Sequence, residues 1–306
     1  MARNLVLKDD GTEGPREGSI QYIGNGTMLL RYGGITLLTD PNFLKQGQRV
    51  YLGYGLFSKR LTNPAVPFDA LPPYDAVVLS HLHGDHFDRI AMKRIPKGTP
   101  ILTTPKGAEA LQEKGFYAAR GLEPWESVPI TKGRTSLTLT AMPGTHAHGP
   151  IGHALPPVMG SLIDFGTPGT PGGFRLLISG DTLVHEGLNE IPRRYPDIDL
   201  AILHLGGTRL LGLLATMDAK EGVEFLRRVS PKHAIPIHYN DYTVFRSALD
   251  DFVQEVAAAG LADRVGYVRH GETVSFAGPY GGPFWKPLPG AAAGRPAPAG
   301  SGPKPS

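Results

Sequence analysis

The chain has 306 residues, 41% apolar and 19% charged, so it can bury a large core in one or two domains and is too apolar for global disorder. Its net charge of +3 comes from 31 basic and 28 acidic side chains with no dense basic run, so neither nucleic acid nor an anionic membrane is indicated as a partner. There is no cysteine, which excludes disulfides and thiolate ligands, and no apolar run approaches the ~18–20 residues that span a bilayer.

Residues 1–18 lack an apolar signal-peptide core, so a soluble cytoplasmic protein without a transmembrane segment is expected. Residues 19–24, 27–32 and 35–39 read as strands, the last two joined at the Gly33-Gly34 turn. Residues 42–73 form a long segment rich in aromatics and proline. A segment of this length is usually functional, and Tyr51, Tyr54, Phe57 and Phe68 are its candidates for lining an apolar substrate pocket.

A strand at 76–80 follows, then a histidine-rich loop, a short helix from 86 to about 94, a strand at 101–103 and a helix at 106–114. Strands are expected at 136–141, 161–165, 174–179, 199–204 and 233–237. Asp218 and Glu221 resemble a capping box that opens a helix reaching about Val229. Residues 243–259 read as an amphipathic helix, and 265–268 with 273–276 as a closing hairpin. The division expected is a folded domain over 1–286 and a Pro/Gly/Ala-rich disordered tail over 287–306.

The chemistry concentrates in His81-Leu82-His83-Gly84-Asp85-His86, directly after the apolar run 76–80. Imidazole is the commonest side-chain metal ligand near neutral pH. Residues two apart in an extended segment face the same way, so His81 and His83 can grip one cation. Asp85 and His86, one step on, can turn toward a second. The later apolar strands also end on chemistry, at Pro143-Gly144-Thr145-His146, Gly180-Asp181-Thr182 and His238-Tyr239.

This order of motifs resembles the metallo-β-lactamase superfamily over about residues 19–276. Within it, Leu38-Thr39-Asp40-Pro41, Leu79-Ser80-His81, Ser179-Gly180-Asp181-Thr182 and Ile235-Pro236-Ile237-His238 look most like the branch of N-acyl-phosphatidylethanolamine phospholipase D and the ascorbate-phosphate lactonases. The resemblance implies an α/β fold, a four-layer αββα sandwich with the site at one edge of its two sheets. It further implies that His81, His83 and His146 hold a first metal, that Asp85, His86 and His238 hold a second, that Asp181 bridges them, and that Asp40 lies nearby. Ligands of this kind suit Zn²⁺, with Mn²⁺ or Fe²⁺ as alternatives.

The expectation is therefore a dinuclear metal-dependent hydrolase that attacks a phosphodiester or lactone-type ester of a small-molecule substrate. A water shared by two such cations falls in pKa from 15.7 toward about 7. Asp85 or a nearby histidine would pass the proton to the leaving group. Among the remaining histidines His204 is the first candidate for the substrate site, ahead of His148, His185 and His153; Tyr239 is a further one. His233 and His270 read as structural. The Gly206-Gly207 pair is a weak candidate for an anion-binding turn. A nuclease of the same superfamily and a metal-stabilised binding protein are the alternative functions. A diiron redox role is disfavoured because that branch has glutamate where this chain has His83. Oligomeric state is not encoded in any of these features.

Overall fold

The computed structural model describes residues 4–9, 11, 18–53, 55–149, 155–166, 173–210 and 212–276. In the first half lie strands β1 (Leu5–Val6), β2 (Gly18–Gly24), β3 (Thr27–Tyr32), β4 (Ile35–Thr39), β5 (Arg49–Tyr51), β6 (Phe57–Lys59) and β7 (Ala76–Val78), helix α1 (Arg89–Arg94), β8 (Ile101–Thr103), helix α2 (Pro105–Glu113) and β9 (Ala119–Gly121). The second half carries β10 (Ser127–Lys132), β11 (Thr135–Pro143), β12 (Met159–Phe165), β13 (Phe174–Ile178), helix α3 (Glu190–Arg194), β14 (Leu200–His204), β15 (Arg209–Leu210), β16 (Leu213–Leu214), helix α4 (Ala219–Val229), β17 (His233–Ile237), helix α5 (Leu249–Ala258) and β18 (Thr273–Phe276).

Two seven-stranded sheets result, in the orders β18-β2-β3-β4-β7-β8-β9 and β1-β10-β11-β12-β13-β14-β17. In each, an antiparallel meander passes into parallel strands; α1 to α4 connect the successive parallel strands except β4 and β7, which are joined by the long segment 40–75. Strands covered on both faces read as unbroken apolar runs, and all of β7 and β14 is buried. Leu30, Leu37 and Val78 of one sheet meet Ile130, Leu139, Ile163, Ile178 and Ile202 of the other in the inner core. On the outer faces, Ala91, Ala108 and Leu111 of α1 and α2 cover Leu38 and Val77, while Val223, Leu226, Phe252 and Val256 of α4 and α5 cover Leu177, Ala201 and Leu203. Helix, sheet, sheet, helix is the four-layer sandwich that the sequence implied. Truncating a fully buried residue such as Leu203 to alanine is expected to cost about 2–5 kcal/mol.

Local chemistry sets the helix starts. Asp88 caps α1 by accepting from the amides of Ile90 and Ala91, so the helix begins at Arg89 rather than at His86. Its other oxygen accepts from Phe43 and Leu44 and ties down the loop after β4. Asp218 caps α4, but the Glu221 carboxylate accepts from Val184 instead of closing a capping box.

Several expectations are corrected. The helix expected over 243–259 covers only Leu249–Ala258, because the amides of Thr243, Arg246 and Ser247 are drawn to Lys59 and Gly206. Residues 265–268 do not pair with β18. Val265 bridges Ala234, and β18 runs antiparallel to β2. The long segment 42–73 holds the β5–β6 hairpin. Tyr51 and Phe57 are exposed on that hairpin, and Phe68 packs on Phe43 under Arg94. Tyr54, His153 and the expected tail with its boundary at 286/287 lie outside the described residues. Among the described residues no helix is long and apolar enough to cross a membrane.

Candidate metal centre

Five strands deliver the site from their carboxyl ends, the usual ligand position in sheets with parallel strands. β4 ends before Asp40, β7 before the histidine loop, β13 before Asp181, β14 on His204 and β17 before His238. β11 adds His146 from the antiparallel part of its sheet. The turns are constrained. A Cβ on Gly180 would lie 2.6 Å from the Met159 carbonyl oxygen, and one on Gly144 would lie 2.7 Å from that of Val158. Asp40 (φ 33°) and His238 (φ 65°) are in the left-handed region, an arrangement that persists where surrounding contacts over-determine it.

The first cluster is His81, His83 and His146. His81 Nε2 lies 2.8 Å from His83 Nδ1, and His146 Nε2 lies 3.2 Å from the same atom. His146 Nδ1 is 2.6 Å from the Ala215 carbonyl oxygen, so its proton sits there and Nε2 presents a lone pair. The second cluster is Asp85, His86, Asp181 and His238. Asp85 Oδ2 is 3.7 Å from His86 Nε2 and 3.5 Å from His238 Nε2, while His238 Nδ1 faces the Leu205 carbonyl oxygen at 3.0 Å. Asp181 joins the clusters, its Oδ2 lying 3.1 Å from His86 Nε2 and 3.9 Å from His81 Nε2.

These residues fit divalent cations. Three imidazole nitrogens converge where tetrahedral ligation with Zn–N of about 2.0–2.1 Å would set them ~3.3 Å apart. Oδ1 of Asp85, Oδ1 of Asp181 and Nε2 of His238 are buried and have no hydrogen-bond partner. Orphaned polar atoms of this kind are rare in a folded interior without a ligand to satisfy them. The donors are all nitrogen and oxygen.

The charge pattern divides the same residues. Burial pushes His81 well below the ordinary imidazole pKa and His83 down to about 4, and it lowers His146 too. Burial also opposes charge on His86 and His238, but Asp181 and Asp85 outweigh it and raise both. Burial works against the Asp40 carboxylate, yet His86 and His204 hold its pKa at about 2. Asp181 is likewise held low by His238 and His86 against burial.

Asp40 underlies the second cluster. Its Oδ2 is 3.0 Å from His86 Nδ1 and accepts from Ser80 Oγ, and its Oδ1 accepts from the Ser80 amide. His204 shares this support role. It is fully buried, with Nε2 3.5 Å from Asp40 Oδ2 and its backbone amide bonded to Ser179 Oγ. With Asp40 and His86 it forms a third group of possible ligand atoms, and its Nε2 has no hydrogen-bond partner. A histidine ending a fully buried strand is held behind the metal loop.

His148, His185 and Tyr239 belong to none of the ligand groups. His148 is exposed. His185 caps a short turn by accepting from Gly187. Tyr239 packs into the outer helical layer. The Gly207 amide donates to Met217, so it is not free for an anion.

A cleft opens over the two clusters, reaching His83, Asp85, His146 and Asp181. Its walls are Leu52, Gly53 and Leu56 of the β5–β6 hairpin, Leu155, Leu210, Ala215, Thr208 and Thr216. Thus, among its described residues, the segment 42–73 walls the cleft through Leu52, Gly53 and Leu56, and not through Tyr51, Phe57 or Phe68. Asn25, Asn42, Arg60 and Asp241, which support the loop from behind, were not singled out from the sequence. Only Asn25 in the β2–β3 turn and Asn42 after Asp40-Pro41 carry any local sign.

Residues 36–239 match the model of the β-lactamase superfamily domain. A UPF0173 metal-dependent hydrolase of Thermus thermophilus is 27% identical over 248 residues, covering 79% of this chain and 92% of that protein. The UPF0173 protein YddR of Bacillus subtilis is 25% identical over 269 residues, covering 84% of this chain and all of that protein. The crystal structure of an isothiocyanate hydrolase from gut bacteria of Delia radicum superimposes with a TM-score of 0.71 at 21% identity, over 85% of this chain and all of that one. With the family model spanning most of the chain and the two sheets arranged as that superfamily's fold requires, the chain belongs to the metallo-β-lactamase superfamily.

Proposed function

We propose that this protein is a metal-dependent hydrolase that holds two divalent cations, with Zn²⁺ the first choice, and opens a small, largely uncharged ester or lactone. The observation that carries the reading is Asp181 set between the two ligand clusters at the floor of an apolar cleft. Relatives named metal-dependent hydrolases support it. His81, His83 and His146 would hold one cation and Asp85, His86 and His238 the other, with Asp181 shared. Bound there, a cation pair supplies an activated water at neutral pH and polarises the scissile group.

The chain's own residues have separate tasks. Leu52, Leu56 and Leu210 exclude water from the electrophile, and Thr208 and Thr216 offer hydroxyls at the cleft wall. Asp85 lines the same space and its Oδ1 has no partner, so it can hold a proton in transit to the leaving group.

No lysine or arginine is among the described residues lining the cleft, so none of these would offer a phosphate a side-chain cation. This favours an uncharged carbonyl substrate over a phosphodiester, which stays as the second reading on the motif resemblance to the phospholipase D branch. It also disfavours a nuclease, whose substrate would need clustered Lys/Arg along the groove. The test is a panel on the metal-loaded protein at about physiological ionic strength: acyl lactones, a thioester, an alkyl isothiocyanate, bis(p-nitrophenyl) phosphate, a labelled tRNA precursor and plasmid DNA. Turnover of an uncharged electrophile with silence on nucleic acids is expected. Salt-sensitive cleavage of the nucleic acids alone overturns the reading.

A further inference from the structure

Behind the metal loop lies a buried ion pair that neither cluster uses. Arg60 and Asp241 are wholly inaccessible to solvent and 3.0 Å apart. Two charges removed from water are a costly way to join segments, and a well-packed apolar pair would often serve folding as well. What this pair orients is therefore informative.

Each partner passes its hold to an asparagine. Asp241 Oδ2 accepts from the backbone amide of Asn25 at 2.8 Å, and Asn25 Nδ2 then donates to the carbonyl oxygen of Asp85 at 2.7 Å. Arg60 donates to Asn42 Oδ1 at 2.5 Å, Tyr242 donates its hydroxyl to the same oxygen at 2.9 Å, and Asn42 Nδ2 donates to the carbonyl oxygen of Gly84 at 3.3 Å. Two consecutive peptide carbonyls, lying between ligands His83 and His86, are thus held by two side-chain amides. The Asp85 carboxylate that follows from this backbone lies 3.7 Å from His86 Nε2 and 3.5 Å from His238 Nε2. Arg60 also closes the β5–β6 hairpin, whose Leu52 and Leu56 wall the cleft. Its backbone amide bonds to Gln48, and it bridges Tyr242 as an isolated ladder pair.

We propose that Asn25 and Asn42, anchored by the Arg60–Asp241 pair, are positioning residues that aim the Asp85 carboxylate into the second cluster and so hold the cation there. This rests on the two-cation reading above. The first cluster takes nothing from the network, because none of its three histidines bonds to these residues. Loss of an amide donor should therefore loosen one metal and not the other. Partners one layer out from a ligand typically contribute 10–100-fold in metal affinity.

The test uses the full chain loaded with Zn²⁺ or Co²⁺ and dialysed against graded chelator, with metal per chain read by elemental analysis and by the Co²⁺ absorption spectrum. Asn25→Gly removes the donor while glycine tolerates the left-handed backbone at this position (φ 55°) without strain. Asn42→Asp keeps an oxygen for Arg60 and Tyr242, replaces the N–H donor to Gly84 by an acceptor, and places its new charge beside the Arg60 guanidinium. Both variants are expected to release the second cation at roughly tenfold lower chelator than wild type, to keep the first at the wild-type threshold, and to lose one component of the Co²⁺ spectrum. Two cations held at wild-type affinity in either folded variant, or equal weakening of both, overturns the inference and leaves the two-cation reading standing. A wild type that takes up only one equivalent overturns that reading and the inference with it.

Discussion

The Asp40 carboxylate lies 3.0 Å from Nδ1 of His86, while Nε2 of the same ring lies 3.1 Å from Asp181. One ring thus joins a supporting carboxylate to the centre of the site. Asp40 places the imidazole proton on Nδ1, which leaves the Nε2 lone pair for a cation. Asp40→Asn keeps the size but removes the charge and can offer an N–H to Nδ1, which favours the wrong tautomer. We expect a roughly 10–100-fold weaker hold on the cation at the His86 cluster, measured by chelator competition. Unchanged affinity would remove Asp40 from the account.

His146 and His148 provide a register test. His146 is buried with Nδ1 committed to the Ala215 carbonyl, whereas His148 is exposed. His146→Ala should lower the metal content of purified protein, and His148→Ala should leave it unchanged. The reverse pattern would put the ligand two residues further on.

The metal-free protein should lose stability in mild acid. An imidazole whose folded pKa lies below its unfolded value of about 6.5 stays neutral where the unfolded chain is protonated. The unfolded state then binds more protons, and stability falls as pH drops. Burial puts His81, His83 and His146 in this class, with His83 at about 4. His86 and His238 are raised, so their contribution is complete below pH ~6.5 and adds no slope there. Asp40, held at about 2, withdraws its contribution only at lower pH. The urea midpoint of chelator-treated protein should therefore fall steadily from pH ~6.5 to ~4. A flat or rising midpoint across that window would contradict the burial of neutral imidazoles.

The cleft walls make a kinetic prediction. Leu56→Ala or Leu210→Ala removes apolar contact made equally by the bound substrate and by the transition state, which raises KM and spares kcat. About tenfold in KM is expected for a substrate with an acyl arm, near 1.4 kcal/mol. A fall in kcat at constant KM would mean that these leucines position the reacting groups.

Much of the candidate site was legible because its residues stand in short motifs at strand ends. His81, His83, Asp85 and His86 sit within one turn, and Asp181 and His238 each follow an apolar strand, while it was the resemblance to the superfamily that joined them into two sets. His204 was ranked first for the substrate site on the same pattern. It also ends an apolar strand, and nothing in the sequence distinguishes a strand end that opens on the cleft from one covered by Asp40 and Ser179. Arg60 gave no signal, since an arginine is ordinarily exposed and its partner Asp241 is distant in the chain. In the fold, β10 alternates buried and half-buried residues, but Pro129 and Lys132 mask the pattern. The helix expected over 243–259 was overextended because tertiary bonds from Gly206 and Lys59 capture its first amides. Propensity describes only local preferences, and these bonds override them.

In the proposed site Asp181 would hold two cations together. The most direct test of this is elemental analysis of protein reconstituted with Zn²⁺ or Mn²⁺, wild type beside Asp181→Ala. The account predicts about two cations per chain in the wild type. It predicts fewer in the variant, with a larger loss of turnover than any single histidine change causes, because withdrawing the shared carboxylate lets the two cations repel. Trace metal in the wild type, or full metal content and turnover in Asp181→Ala, would contradict it.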